Sequence, residues 1–101
     1  MKPTNKSLNG TSFHMSTVSA TVNELKQVLG EVRFTGEFED KVQNGWEMEL
    51  ENGDVFSVYD WKEYKQYSND DVIEWHIGGH DKTITERAKQ QLIKLLNEKT
   101  K

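Results

Sequence analysis

The stretch EWHIGGHD, residues 74–81, gathers two of the chain's three histidines, a tryptophan and a Gly-Gly pair. Three kinds of chemistry suit those residue types. The first is metal binding. His76 and His80 stand four positions apart, but Gly78-Gly79 lies between them and leaves their relative directions open. Zinc takes three or four ligands, so His14, Glu74 or Asp81 would have to arrive through the fold. The second is acid–base work by His76 with Asp60, Glu63 or Glu74, which would suit a small metal- or acid/base-dependent hydrolase. No pattern fixes a nucleophile or an oxyanion hole, so no catalytic residue and no metal ligand are assigned.

The third is an anion or nucleotide site. A strand that runs through glycines into a helix start lets a ligand approach the backbone and offers free N–H groups at the positive end of the helix dipole. On this reading Trp75, His76, Gly78, Gly79, His80 and Lys82 form the ligand site, and Trp61 or Tyr59 stacks on a base. Against it, Asp81 sits where the anion would go, and a capping carboxylate takes the same N–H groups. A tight turn that needs glycine explains the pair without any ligand. No cofactor is expected.

A fourth feature is the aromatic run YDWKEYKQY, Tyr59–Tyr67. Core packing explains Tyr59 and Trp61. Tyr64 and Tyr67 follow the predicted strand, where exposed tyrosines give large contact area with few rotors. Together with Phe56 and Val58 they are the candidate partner-binding residues.

The elements that must position these residues are readable from periodicity. Residues 1–12 are polar, hold the single proline and read as a flexible arm; residues 13–101 read as one domain. Phe13–Ala20 reads as a short first strand. Thr21–Gly30 is a short helix, with Thr21 and Glu24 at capping-box spacing, Val22, Leu25, Val28 and Leu29 in one stripe, and Gly30 suited to the C′ position. Glu31–Asp40 reads as strand or extended chain.

Trp46–Trp61 reads as a hairpin turning at Asn52-Gly53, a dipeptide that suits a two-residue type I′ turn. That register sets Leu50 against Val55, Met48 against Ser57 and Trp46 against Tyr59. It makes Trp46, Met48, Leu50, Val55, Tyr59 and Trp61 the core face. Phe56 and Val58 then fall on the acidic face with Glu47, Glu49 and Glu51 and need a cover, which predicts a homodimer or a docked partner. Lys62–Asp71 is a polar connection. Val72–Gly79 alternates, with Ile73, Trp75 and Ile77 on one face. Asp81–Lys99 is a long amphipathic helix capped by Asp81 or Thr83, with Ile84, Ala88, Leu92, Leu95 and Leu96 as its buried stripe. The sum is an α+β domain: a mostly antiparallel sheet of about four strands, a β-meander at its centre, with two helices packed on one face.

Composition narrows the function classes. The chain has no cysteine, which excludes disulfides and thiolate chemistry and fits a cytoplasmic setting. No apolar run is long enough to span a membrane. The net charge of −4 is unevenly spread: residues 82–101 hold six Lys/Arg and two acids, while residues 1–81 hold seven against fifteen. An acidic body argues against nucleic acid as a partner, since that binding rests on cationic contacts.

The segments TVNELKQVLGE, WEMELENGDVFSVYDWKEY and EWHIGGHDKTITERAKQQL resemble a group of small accessory proteins encoded by tailed bacteriophages. The resemblance covers roughly Phe13 to Leu96, and YDWK and WHIGGH are its most specific parts. It departs at Val32, where the pattern has proline. It carries no catalytic residues over. It implies a protein at work in the host cytoplasm during infection, taking over or countering a host process, an anti-defence role included. Two modes are expected: sequestering a nucleotide-like small molecule, or blocking a host protein.

Overall fold

Thr21 starts the first helix by the predicted device. Its Oγ1 accepts from the Glu24 backbone N–H at 3.0 Å, and Glu24 Oε1 accepts from the Thr21 N–H at 2.9 Å. Each side chain satisfies a donor that the helix start would leave unpaired. Gly30 closes the helix at φ 87°, donating to Lys26 O. This helix, α1, is Val22–Leu29, and it buries Val22, Leu25 and Leu29. The second helix, α2, is Lys82–Lys99. Of the two predicted caps, Asp81 serves: its Oδ1 accepts from Ile84 N at 2.8 Å.

The computed structural model describes residues 1–35, 44–61 and 67–99. Its strands are β1 (Lys2–Pro3), β2 (Ser12–Ala20), β3 (Phe34–Thr35), β4 (Asn44–Glu49), β5 (Val55–Tyr59) and β6 (Ile73–Gly79). They form one sheet in the order β1-β4-β5-β6-β2, with β3 sharing the β4 edge, and every pairing is antiparallel. The β4-β5-β6 meander is as expected, and β2 adds a fourth long strand beyond β6. α2 packs on β2, β5 and β6, and α1 packs on α2. The protein is thus an α+β domain. No helix among the described residues is long and apolar enough to cross a membrane.

The hairpin register differs from expectation by one residue. Glu49 pairs with Val55, Met48 with Phe56 and Trp46 with Val58. Leu50 N–H donates to Asp54 O, so the loop holds three residues, Glu51 to Gly53. The cause lies at Asn52. A type I′ turn needs positive φ at both central residues, but only Gly53 has it, at 92°. Asn52 instead uses its side chain, whose Oδ1 accepts from Asp54 N at 3.0 Å. A one-residue slip exchanges the two faces of a strand. Phe56 and Val58 are therefore fully buried beneath the helices with Trp46 and Met48, and Tyr59 faces the other way. Neither Phe56 nor Val58 is available to a partner, and the ground for expecting a homodimer, that these two side chains want cover, is gone.

Two tryptophans anchor the core. Trp46 and Trp75 are fully buried and meet edge to face at 5.4 Å. Each indole N–H finds a carbonyl across the structure, Gly30 O for Trp46 and Ala20 O for Trp75, both at 2.9 Å. A buried indole needs such an acceptor. The α2 stripe comes out as Ala88, Leu92 and Leu96 buried, with Ile84 and Leu95 half-buried. Thr85 is buried too, its hydroxyl bonded to Ser16 Oγ and to Lys82 O.

The first residues, read from sequence as a flexible arm, are docked. Lys2 and Pro3 pair with Glu49 and Met48, and Thr4 is buried. Glu49 gathers them: Lys2 Nζ lies at 3.3 Å, Lys6 Nζ at 3.0 Å and Thr4 Oγ1 at 3.2 Å. These contacts, the Lys6 hydrogen bond foremost, hold the Glu49 carboxyl below its ordinary value of 4.5. A lowered carboxylate pKa stabilises the fold above the unfolded value and loses that contribution as pH falls through the folded one. Melting temperature is therefore expected to fall as pH drops below 4.5. Glu49→Gln should flatten part of that slope; Glu86, lowered chiefly by the Ser16 hydroxyl, keeps the rest. An unchanged profile in Glu49→Gln would contradict the docking.

Candidate functional site

The corner between β6 and α2 is built for close packing. A Cβ placed on Gly78 would stand 2.7 Å from Ser57 Oγ and 3.4 Å from Tyr59 Cε1. One placed on Gly79 would stand 2.9 Å from Thr85 Cγ2 and 3.4 Å from Ile84 Cγ2. Both glycines are buried, and protein side chains fill the space a ligand would need. Asp81 takes the Ile84 N–H, one of the donors an anion would use. Gly79 O contacts His14 Nε2 at 3.2 Å, and Lys82 Nζ donates to His14 O at 3.0 Å.

The seven residues expected to share a ligand are thus dispersed. Trp75 is sealed on the helix side of the sheet. His76 and Trp61 stand on the opposite face. Gly78 and Gly79 are packing positions. His80, beside Gly10, and Lys82 are exposed at the corner. Among the described residues no group of three or more histidines or carboxylates converges as a metal site would require.

The acid–base candidates separate as well. Asp60 is fully buried and structural, accepting from Asn44 N at 3.1 Å and from Tyr67 OH at 2.5 Å. Tyr67, expected as an exposed partner residue, is half-buried instead. Its hydroxyl also accepts from Asn44 Nδ2 at 2.8 Å, and its ring meets Trp75 at right angles. A buried carboxylate requires donors, and Tyr67 supplies one. Tyr64 and Glu63 lie outside the described residues.

What the structure does assemble is an aromatic cluster on the sheet face turned away from the helices. His76 stacks on Phe13 with ring centres 4.0 Å apart and planes 14° from parallel. Trp61 lies on at 6.3 Å and 25°. Tyr59 stands steeply to both, at 65° to His76 and 81° to Trp61. Phe13 pairs with Gly78 across β2 and β6, which sets its ring on the same face as His76. Trp61 is 39% exposed, high for a residue of its size within a cluster. Burial lowers the His76 pKa from 6.5, partly opposed by the charge of Glu74, and burial raises that of Tyr59. His76 is therefore a neutral ring at neutral pH.

Beside the cluster, β2 carries an irregularity. Phe13 pairs with Gly78 and Ser16 with Ile77, so His14 and Met15 are extra to the ladder. Met15 takes φ 70°, a value non-glycine residues seldom adopt, and its side chain is 77% exposed. The bulge interrupts an edge strand that would otherwise offer a long row of unpaired backbone groups. Phe13 is the residue sequence reasoning missed; Tyr59 was named as a stacking ring but set on the core face by the two-residue turn. The three-residue loop is what moves Tyr59 to this face, and Phe13 reaches it through the pairing of β2 with β6.

Two grooves among the described residues lie elsewhere. One of about 300 Å³ runs between Met1, the hairpin tip at Glu51 and the second half of α2 at Lys94, Leu95 and Glu98. Its lining mixes both signs of charge and converges no set of donors. No family model matches the chain, and comparison with curated proteins and with solved structures likewise finds no match.

Proposed function

We propose that this chain is a non-enzymatic binding protein of a bacterial virus that blocks a host protein through the aromatic face of its sheet. The carrying observation is the contiguous cluster of Phe13, Tyr59, Trp61 and His76, with the Trp61 indole 39% exposed at its rim. Partly exposed tryptophan and tyrosine held rigid by neighbouring rings are what interface hot spots are made of. The resemblance of YDWK and WHIGGH to phage accessory proteins supplies the biological setting. It also places Tyr59, Trp61 and His76 inside the two most specific stretches.

Of the two expected modes, the closed β6–α2 corner weighs against a nucleotide held at Gly78-Gly79. The hydrolase reading loses the support of convergence, since His76 is stacked between rings and His80 stands apart at the corner.

Immobilised protein is expected to retain a specific protein from bacterial host lysate. Trp61→Ala should weaken that capture by about 2 kcal/mol or more, as truncation of a hot-spot tryptophan does. Its melting temperature should move by less than about 4 °C, because a rim position contributes little to folding. Undiminished capture by a folded Trp61→Ala variant would remove the face as the interface.

A further inference from the structure

The aromatic face has a sign as well as a shape. On the same side of the sheet, β4 places Glu47 opposite Ser57, and β6 places Glu74 two residues before His76. Glu74 is exposed and Glu47 half-exposed. Neither forms an ion pair among the described residues. Glu49, farther along β4, already has its charge met by Lys2 and Lys6. Apart from Lys2, no lysine or arginine occupies a strand position on this face among the described residues. Arg87, Lys89 and Lys94 belong to α2, on the other side of the sheet, and Lys82, in its first turn, is held at the corner by His14 O. A phosphate-bearing ligand would meet like charge here. A cation would meet ring faces of negative quadrupole and two carboxylates that no lysine or arginine among the described residues pairs.

We propose that this face receives a cationic side chain, an arginine in an exposed basic segment of the partner protein. Its guanidinium stacks on Trp61 and Tyr59, and its charge is turned toward Glu74. Arginine fits better than lysine, since its planar, weakly hydrated head stacks on rings while keeping donors free for a carboxylate. A second copy of this chain fits poorly. Its own basic surface is α2, behind the sheet, so copies would join head to tail rather than as a two-fold pair. The inference rests on the reading that the aromatic face is an interface, and it names the chemistry of what the face takes.

The full-length chain, labelled with nitrogen-15, offers a clean reporter. Trp46 and Trp75 are fully buried on the helix side and Trp61 is 39% exposed on the aromatic face, so the Trp61 indole resonance reports on the face. The probes are acetyl-Gly-Arg-Gly-Arg-Gly-amide, the same peptide with citrulline for arginine, and adenosine monophosphate. The arginine peptide is expected to shift the Trp61 indole. Citrulline, equal in shape but uncharged, should bind at least about fivefold more weakly, and Glu74→Gln should weaken arginine binding about two- to fivefold. Binding should also decline as salt rises from about 0.02 M to about 0.5 M.

Equal binding of the arginine and citrulline peptides, or a Trp61 shift with the nucleotide alone, would overturn the cationic occupant and leave the face itself as a binding surface. A Trp61 resonance silent to all three probes would overturn it too; whether the face is an interface at all is decided separately, by capture with Trp61→Ala. Concentration-dependent self-association abolished by Trp61→Ala would replace the basic partner with a second copy.

Discussion

Phe56→Arg is expected to leave most of the chain unfolded at 25 °C, while Tyr59→Arg, three residues along the same strand, stays folded. Phe56 is fully buried on the helix side of the sheet. Replacing it removes the packing of a core phenyl ring, worth about 3–5 kcal/mol. It also drives a guanidinium among apolar side chains, where an uncompensated charge costs several kcal/mol more. Together these approach or exceed the roughly 5–15 kcal/mol that holds a domain of this kind together. Tyr59 is half-buried on the other face, and its replacement loses contact near Gly78 and with the neighbouring rings, at about 1–2 kcal/mol. Near-ultraviolet circular dichroism and urea titration of both variants decide the matter. The two-residue turn predicts the reverse order, because it puts Tyr59 in the core and Phe56 outside. A folded Phe56→Arg with an unfolded Tyr59→Arg would therefore dissolve the aromatic face and every proposal built on it.

The parts of the fold that were legible in the sequence are those decided within a few residues. The Thr21–Glu24 box, Gly30 and Asp81 each satisfy backbone groups no more than four positions away, so type and spacing suffice. The alternation of Ile73, Trp75 and Ile77 gave the buried face of β6 for the same reason. The hairpin register was not legible, because Asn52-Gly53 serves both a two-residue turn and a three-residue loop. Which one forms depends on whether Asn52 contributes its backbone or its side chain.

Tyr67 and the first residues were misread for a different cause. Tyr67 is called inward by a buried carboxylate, Asp60, and by Asn44, 23 positions earlier; Thr4 is called inward, and the exposed Lys2 and Lys6 are held against the sheet, by Glu49, more than 40 positions later. Pattern along the chain carries no sign of such demands. The site followed suit. Trp61 and His76 were singled out, but the company they keep, Phe13 and Tyr59, comes from strand pairing. The residues adjacent to them in sequence, Trp75, Gly78 and Gly79, serve the core.

That division can be tested at Gly79, where a ligand-binding role and a packing role predict different behaviour. Gly79→Ala should destabilise the protein by about 1–3 kcal/mol, since the new methyl group would stand 2.9 Å from Thr85 Cγ2 in a filled corner. For a domain of this size that lowers the melting temperature by roughly 5–20 °C. Thr85→Ser deletes the methyl group in the way while keeping the hydroxyl that bonds Ser16 and Lys82 O. Alone it should cost about 1 kcal/mol for the small void it leaves. The double variant is then expected to be more stable than the sum of the single costs predicts, by about 1 kcal/mol, because two groups in contact share one space. If the glycine were there to admit a ligand to the backbone, Thr85→Ser would have nothing to relieve, and the two costs would add. Additive losses, measured by urea unfolding at constant slope, would reopen the β6–α2 corner as a binding site; relief by the serine closes it as a joint between sheet and helix.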